Sequence, residues 1–547
     1  MAADPEVRPV ATERDALLAP KHDDDPETAQ DETLDEEELD EPKIPGVKIQ
    51  YILPALALGI FLAAMDNTIV VSSYGAIGND LKELNRTSWI ATAYLLTTTS
   101  FQPLYGKLSD IFGRKASLLF AYAVFGIGCL ACGMSMSLEQ LVAARAFAGI
   151  GGGGMTTVVS ILVSDIVGLR SRGTWQGVLN IVFASGAAAG APLGGIIADT
   201  IGWRWAFILQ FPATLLAIAI VSIFLQLPAP EQSGTDFKTR LYRVDFLGAA
   251  VLVLAVLSLL IGLDKAGNLS LTSPVVITSL SIALALFATF TYVESFIAAE
   301  PFAPPHVVKQ RTILASCLAN FFSFASHMTV LFFVPLYYQA VEALSARQAG
   351  MRLLPAIAGG VSGSLAGGLL MQKTGKYYWL TVSSYCLPVL GSAAVLVSTS
   401  AAAATTTTTG ISFGILSSGF GNGIGVTTTL VALIAAAGSK DQAVATAVSY
   451  LFRALGTVSG VSLGAMLVQG RLRTGLERRL GSGDEAAEIV RRVRGSMDFI
   501  ATLPDELRAA VRECYRDAVH VAFGLSLLLA VCAVVSSVFI REKRLAA

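Results

Sequence analysis

The ten residues Gly106 to Lys115, G-K-L-S-D-I-F-G-R-K, place Lys107, Asp110, Arg114 and Lys115 between two apolar runs of bilayer-spanning length. Charges at this density cannot lie in hydrocarbon, so the stretch reads as a tight hairpin at a membrane surface. Lys and Arg in short loops gather on the cytoplasmic side, which assigns the hairpin to the cytoplasm.

Outward from the hairpin, apolar runs recur at about 49–72, 88–106, 116–134, 138–163, 174–198, 205–226, 244–263, 273–295, 313–338, 350–371, 378–398, 410–436, 443–469 and 519–540. Fourteen spans put both termini on the hairpin's side. Lys and Arg are several-fold more abundant in the short loops of that side than in those opposite. The two glycosylation sequons, at Asn85 and Asn268, both fall in outer loops. The class is an all-α polytopic membrane protein whose solvent is the lipid bilayer. Composition agrees: 53% hydrophobic, 15% charged and a mean hydropathy of +0.62. A net charge of −2 gives no electrostatic basis for a nucleic-acid partner.

Residues 1–46 are acidic, with runs such as Asp23–Asp25 and Asp35–Glu38, and are expected to be a disordered cytoplasmic tail. Within them Glu13, Leu17 and Leu18 have the form of a dileucine sorting signal, the address a sorting adaptor would bind. No signal peptide precedes the first span. The outer segment 470–518 is too long for a turn, and Pro504-Asp505-Glu506 predicts the start of a surface helix over the outer mouth. Cys129 and Cys132 form a C-x-x-C inside an apolar run, where packing explains them without a metal.

The hairpin has an internal echo. Gly106, Leu108, Asp110 and Gly113 are matched at the same offsets by Gly368, Leu370, Gln372 and Gly375, with Lys376 answering Arg114. Both copies follow the second helix of a six-helix block. Duplicated halves are a common build for secondary transporters, with the substrate site between them. The expected organisation is a six-helix half at 47–228, a linker with two inserted helices at 229–312, and a second half at 313–547 that includes the loop 470–518.

Four motifs give the chain a resemblance to the major facilitator superfamily. They are the hairpin with Gly106, Asp110, Gly113 and Arg114; Arg145 in L-V-A-A-R-A-F-A-G-I-G-G-G-G; Gly186, Gly190, Pro192, Gly194 and Gly195 in the fifth span; and Met65-Asp66-Asn67-Thr68-Ile69-Val70 in the first. The last two resemble the fourteen-helix drug–proton antiporter branch. Within it, V-V-S-S-Y-G-A-I-G-N-D-L and the stretch Asn85–Asp110 are closest to fungal vacuolar basic amino acid transporters. Val71, where the branch's drug exporters usually carry Asn, points the same way. The resemblance implies a major facilitator fold, exchange of protons for a small cationic solute, and no cofactor beyond the proton gradient.

Asp66 stands mid-span, where an ionised carboxylate is costly; it suits a group that trades a proton for a cation, or a structural hydrogen-bonded acid. The resemblance gives Arg145 a part in proton coupling, against a structural ion pair. Arg453 is a further buried charge that the family's gate suggests pairing with Asp110, while Asp165 is placed to pair with Arg114. Gly186, Gly190 and Gly194 put a small-residue stripe on one face, with Pro192 as a pivot, expected to let the fifth helix approach a partner across the halves. Asn67, Gln102, Asn180, Asn320, His327 and Asn422 are polar residues in spans, readable either as cavity lining or as helix–helix hydrogen bonds. No nucleophile–base set, metal cluster or phosphate loop points to an enzyme. The expected function is a proton-coupled antiporter carrying basic amino acids into a vacuole. The rivals are a plasma-membrane drug or toxin exporter and a non-transporting sensor on a transporter fold.

Overall fold

A computed structural model describes residues 49–81, 88–227, 244–268, 273–298, 301, 303–344, 346–400, 407–480, 488–490, 492–493, 500 and 502–543. The dileucine residues Glu13, Leu17 and Leu18 and the sequon at Asn85 lie outside them, and the sequon at Asn268 runs beyond them.

Chain order is α1 Ile49–Leu81, α2 Ser88–Phe112, α3 Arg114–Met134, α4 Leu138–Ile166, α5 Leu169–Thr200, α6 Trp203–Phe224, α7 Phe246–Asn268 and α8 Pro274–Ile297. Then come α9 Arg311–Ala340, α10 Leu354–Thr374, α11 Tyr378–Ser398, α12 Thr408–Gly438, α13 Asp441–Arg479 and α14 Asp505–Val538. Thirteen helices among the described residues are long and apolar enough to span a membrane. The remaining member of the series, α2, is 25 residues long but carries Thr97–Ser100, Gln102, Lys107 and Asp110, which lower its hydropathy.

The chain reverses at glycine. Gly113 between α2 and α3 has φ 90°, and Gly375 after α10 has φ 66°, both left-handed backbone that a side chain would strain. These two glycines hold corresponding places in the sequence echo, so the repeat extends to backbone conformation. Gly438, at φ 72°, separates α12 from α13 in an otherwise unbroken helical run.

Helices α1 to α6 pack together around one apolar core, with α1 on α5, α2 on α4 and α3 on α4 and α6. Helices α9 to α14 form the corresponding second bundle. The inserted helix α7 lies in the seam between bundles: Leu252 and Val256 pack with Leu96 and Leu104 of α2 and Leu451 of α13. On the face away from the hairpin, the outer segment departs from the expected surface helix. Helix α13 continues to Arg479, and Asp505–Ala518 is the first part of the final spanning helix itself. Val490, Val493, Ile500 and Leu503 pack on Leu472, Leu476, Val511 and Tyr515, whose hydroxyl donates to the Val493 carbonyl at 2.8 Å. Apolar burial thus fixes this cap to the second bundle.

The glycine stripe of α5 also has a different partner from the one expected. Gly186 lies against the Phe61 backbone and Gly190 against Met65 and Thr68, all on α1 of the same bundle. Gly456 and Gly460 of α13 repeat the arrangement against Phe321 and Ala325 of α9. Pro192 lies within α5 with its ring exposed, Gly194 is buried and Gly195 half-buried. The stripe therefore closes each bundle internally, and two other α5 glycines, Gly173 and Gly177, meet the second bundle. Gly190→Val should push α5 off α1 and destabilise the protein by about 1–3 kcal/mol, the usual cost of overpacking. Thermal unfolding in detergent checks this, and an unchanged melting temperature would count against the packing role.

Candidate functional site: a buried ion pair and a seal between the bundles

Asp66 and Arg145 have no exposed side-chain surface, and the Arg145 Nη1 lies 2.5 Å from the Asp66 Oδ2. Gln210 of α6 donates to the other carboxylate oxygen at 3.1 Å. Arg145 Nε donates to the Ile90 carbonyl at 3.3 Å, and its guanidinium lies 4.3 Å from the centroid of the Tyr94 ring. Its Nη2 has no acceptor. The five groups come from α1, α2, α4 and α6, so the pair belongs to the interior of the first bundle. Glycines after Arg145 make this possible: Gly149 and Gly152 admit Tyr94, and Gly151 admits the backbone of α3 at Phe125. The cation that satisfies Asp66 here is Arg145 itself. Removing either charge would leave the other buried and uncompensated.

The second part of the site lies on the hairpin face. Arg114 Nη1 contacts the Asp110 carboxylate at 2.5 Å, and its Nε contacts Asp165 at 2.7 Å. Asp165 also accepts from Gln442 Nε2 at 3.1 Å, while Arg172 Nη1 donates to Gln442 Oε1 at 3.3 Å. Gln442 opens α13, so its amide is gripped at both ends by residues of the first bundle. Arg453 does not take the place expected beside Asp110. It donates from Nη2 to the Val426 carbonyl at 3.2 Å, and no carboxylate among the described residues lies within 4.0 Å of it. The cross-bundle partner is Gln442, which sequence inspection missed together with Arg172. The one available signal was a polar side chain in the first turn after the Gly438 break.

The two halves of the sequence echo meet reciprocally. Gly106 of α2 seats α13, where an added Cβ would come within 2.6 Å of the Ala447 Cβ and 3.2 Å of the Ala443 oxygen. Gly368 of α10 seats α5, where a Cβ would come within 2.5 Å of the Gly173 carbonyl carbon and oxygen. Gln372, which replaces the carboxylate in the second copy, accepts from Thr174 of α5 at 3.1 Å. Further into the membrane, Asn180 donates to Ser364 at 2.6 Å, and Ser364 bonds Thr427 at 2.8 Å. These contacts seal the bundles together on the hairpin face.

The other polar span residues divide between the bundles. Gln102 donates to Thr156 at 3.4 Å and keeps an unpaired carbonyl oxygen. Asn320 is fully buried, donating to Ser449 and accepting from Tyr385 and Thr429. Asn422 accepts from Ser323 at 2.7 Å. Asn67 and His327 are half-buried, and His327 Nδ1 has no partner. Among the described residues no group of His, Cys, Asp and Glu is arranged to hold a metal.

Two six-helix bundles with repeated hairpins, sealed together on the hairpin face, have the build of a secondary transporter. The family profile of the Major Facilitator Superfamily matches residues 56–461, and the chain belongs to that family. It is 42% identical over 500 residues to the vacuolar membrane amino acid uptake transporter fnx2 of Schizosaccharomyces pombe, covering 91% of this chain and 85% of that one. It is 40% identical to the multidrug resistance protein fnx1 of the same organism, covering 88% and 90%. The vacuolar basic amino acid transporter 2 of Saccharomyces cerevisiae is 33% identical, covering 82% and 96%. The solved proton:xylose symporter XylE shares the fold, with a TM-score of 0.53, 13% identity, and coverage of 86% of this chain and 94% of that one.

Proposed function

We propose that the protein is a proton-coupled antiporter that moves small cationic solutes, foremost basic amino acids, from the cytoplasm into an acidic vacuole. The observation that carries the proposal is the enclosed Asp66–Arg145 pair, found in a chain 42% identical to a vacuolar amino acid uptake transporter. The hairpin face is taken as cytoplasmic, with both termini on that side and a dileucine signal available to a sorting adaptor.

A proton arriving from the lumen neutralises Asp66 and ends its attraction for Arg145, which must then find another acceptor or carry an uncompensated charge inside the bundle. The bundle relieves that cost by rearranging, and the return of the proton to the cytoplasm restores the pair. The hairpin seal through Asp165, Gln442 and Arg172 holds the cytoplasmic side closed in one of the two states. The driving force is the proton gradient alone, with no cofactor.

The experiment is uptake of labelled arginine, lysine and histidine into acidified vesicles containing the full chain. Uptake should collapse when a protonophore dissipates the gradient; uptake that ignores the protonophore rules out antiport. The similarity to the multidrug resistance protein fnx1 favours a second reading, efflux of drugs or toxins at the plasma membrane. Transport of hydrophobic drugs with no uptake of basic amino acids would select it.

A further inference from the structure

Arg453 is a further arginine buried in a spanning helix, and its surroundings differ from those of Arg145. It is 6% exposed, like Arg145 in being buried, yet no Asp or Glu among the described residues lies within 4.0 Å. Its Nε has no acceptor, and among the described residues the guanidinium donates one hydrogen bond, from Nη2 to the Val426 carbonyl. Two aromatic rings flank it, with centroids 5.0 Å (Tyr450) and 5.7 Å (Phe324) away. Rings of this kind soften the burial of a cation without neutralising it. A buried guanidinium with a free donor and no counter-ion among the described residues is a costly arrangement that an anionic ligand would relieve.

Its printed contacts, Val426 of α12, Phe324 of α9 and Tyr450 of α13, all belong to the second bundle, one step from the polar contacts that join the two bundles. Gln442, eleven residues earlier on α13, reaches across to Asp165 and Arg172 of the first bundle. Eleven residues are three turns within about 20° of rotation, so Arg453 lies on the same side of α13, roughly 16 Å further from the seal. The carbonyl that holds it belongs to Val426, the neighbour of Thr427, which ends the polar chain Asn180–Ser364–Thr427 crossing between the bundles. The guanidinium is therefore bonded to the residue next to Thr427, the second-bundle end of that polar chain.

We propose that Arg453 binds the α-carboxylate of the transported solute, its free Nε and a second guanidinium nitrogen forming the fork that carboxylates fit. The proposal rests on the amino acid reading above and gives that site a requirement for a carboxylate, not for positive charge alone. Tyr450 and Phe324 then supply the apolar walls that exclude water from the ion pair.

Arginine and agmatine, which keeps the guanidinium but lacks the carboxylate, separate the two demands. In vesicles of the full chain, arginine should be taken up in preference to agmatine. Arg453→Gln should raise the KM for arginine by at least about 30-fold, the cost of truncating one side of a buried charge pair, while leaving agmatine transport nearly unchanged. Arg453→Lys should restore part of the preference. Equal losses for arginine and agmatine, or an unchanged KM for arginine, would overturn the assignment. A second measurement does not depend on transport: thermal stabilisation of the purified protein by the pairs arginine–agmatine, lysine–cadaverine and leucine–isoamylamine. Stabilisation confined to the carboxylate members, and lost in Arg453→Gln, supports the site even if basic amino acids prove not to be the cargo. Absence of any carboxylate preference in the unaltered protein refutes it.

Discussion

Asp66→Asn should reduce gradient-driven uptake to background, a loss of at least about 100-fold, the scale on which removal of a proton-transferring group is felt. The amide preserves shape and can still accept from Gln210, but it neither binds a proton nor balances Arg145, whose Nη1 sits 2.5 Å from the present carboxylate. Because that guanidinium is fully buried and its Nη2 already lacks an acceptor, the single substitution should also destabilise the bundle, by about 3–5 kcal/mol for an orphaned buried charge. Loss of function and loss of fold are separated by the double variant Asp66→Asn/Arg145→Gln. Removing both charges should recover most of the melting temperature, since a buried pair replaced as a unit is often near neutral. Uptake should stay at background. Transport by Asp66→Asn that still responds to a protonophore would remove Asp66 from the coupling step. A double variant no more stable than the single one would show that the pair is not the source of the strain.

What the sequence disclosed, and what it hid, follows from how charge and glycine report on structure. Asp66, Arg145 and the hairpin were legible because a charge inside an apolar run is conspicuous whatever it touches. Their partners were less so. Asp66 and Arg145 are 79 positions apart, and only the packing of α1, α2, α4 and α6 brings them together. Family analogy suggests that Arg453 pairs with Asp110, and the structure shows why it does not: the residue lies three turns from the start of α13, too deep for the hairpin. Gln442 offers only its place in the first turn after the Gly438 break, since a glutamine opening a helix is unremarkable until a carboxylate and an arginine are seen on either side. The α5 glycines announced a close helix approach without naming the partner, and the stripe at Gly186–Gly190 turned out to face α1 within its own bundle. Helix α2 was legible as an apolar run at 88–106, although its threonine run weakens its hydropathy.

The echo at Gly368 leads to the other large effect. A Cβ at this position would lie 2.5 Å from the Gly173 carbonyl carbon and oxygen and 2.6 Å from the Thr174 nitrogen. All three are backbone atoms of α5, so no side chain can swing aside to relieve the clash. The contact joins two bundles and is not part of either interior, so Gly368→Val should fold yet be unable to close the hairpin face. Overpacking of this kind costs about 1–3 kcal/mol where neighbours can relax, which alone shifts an open-to-closed ratio by roughly 5–150-fold. Rigid backbone on both sides places this variant at the upper end, and transport, which must visit the closed state in every cycle, should fall to background. Ser364, 1% exposed and itself part of the seal through Asn180 and Thr427, reports the state directly. With Cys386, the one exposed native cysteine, changed to Ser, Ser364→Cys should react slowly with an impermeant maleimide applied to the hairpin face of the reconstituted protein. Adding Gly368→Val should make it react fast. If labelling keeps its slow rate, or if the valine variant transports normally, the two hairpin glycines do not form the closing seam. Gly106→Val should open the same face less completely, because its nearest obstacle is the Ala447 methyl at 2.6 Å, with backbone no nearer than 3.2 Å. That ranking is set by which atoms each missing side chain would meet, and it runs opposite to the order expected from the charges of the two hairpins.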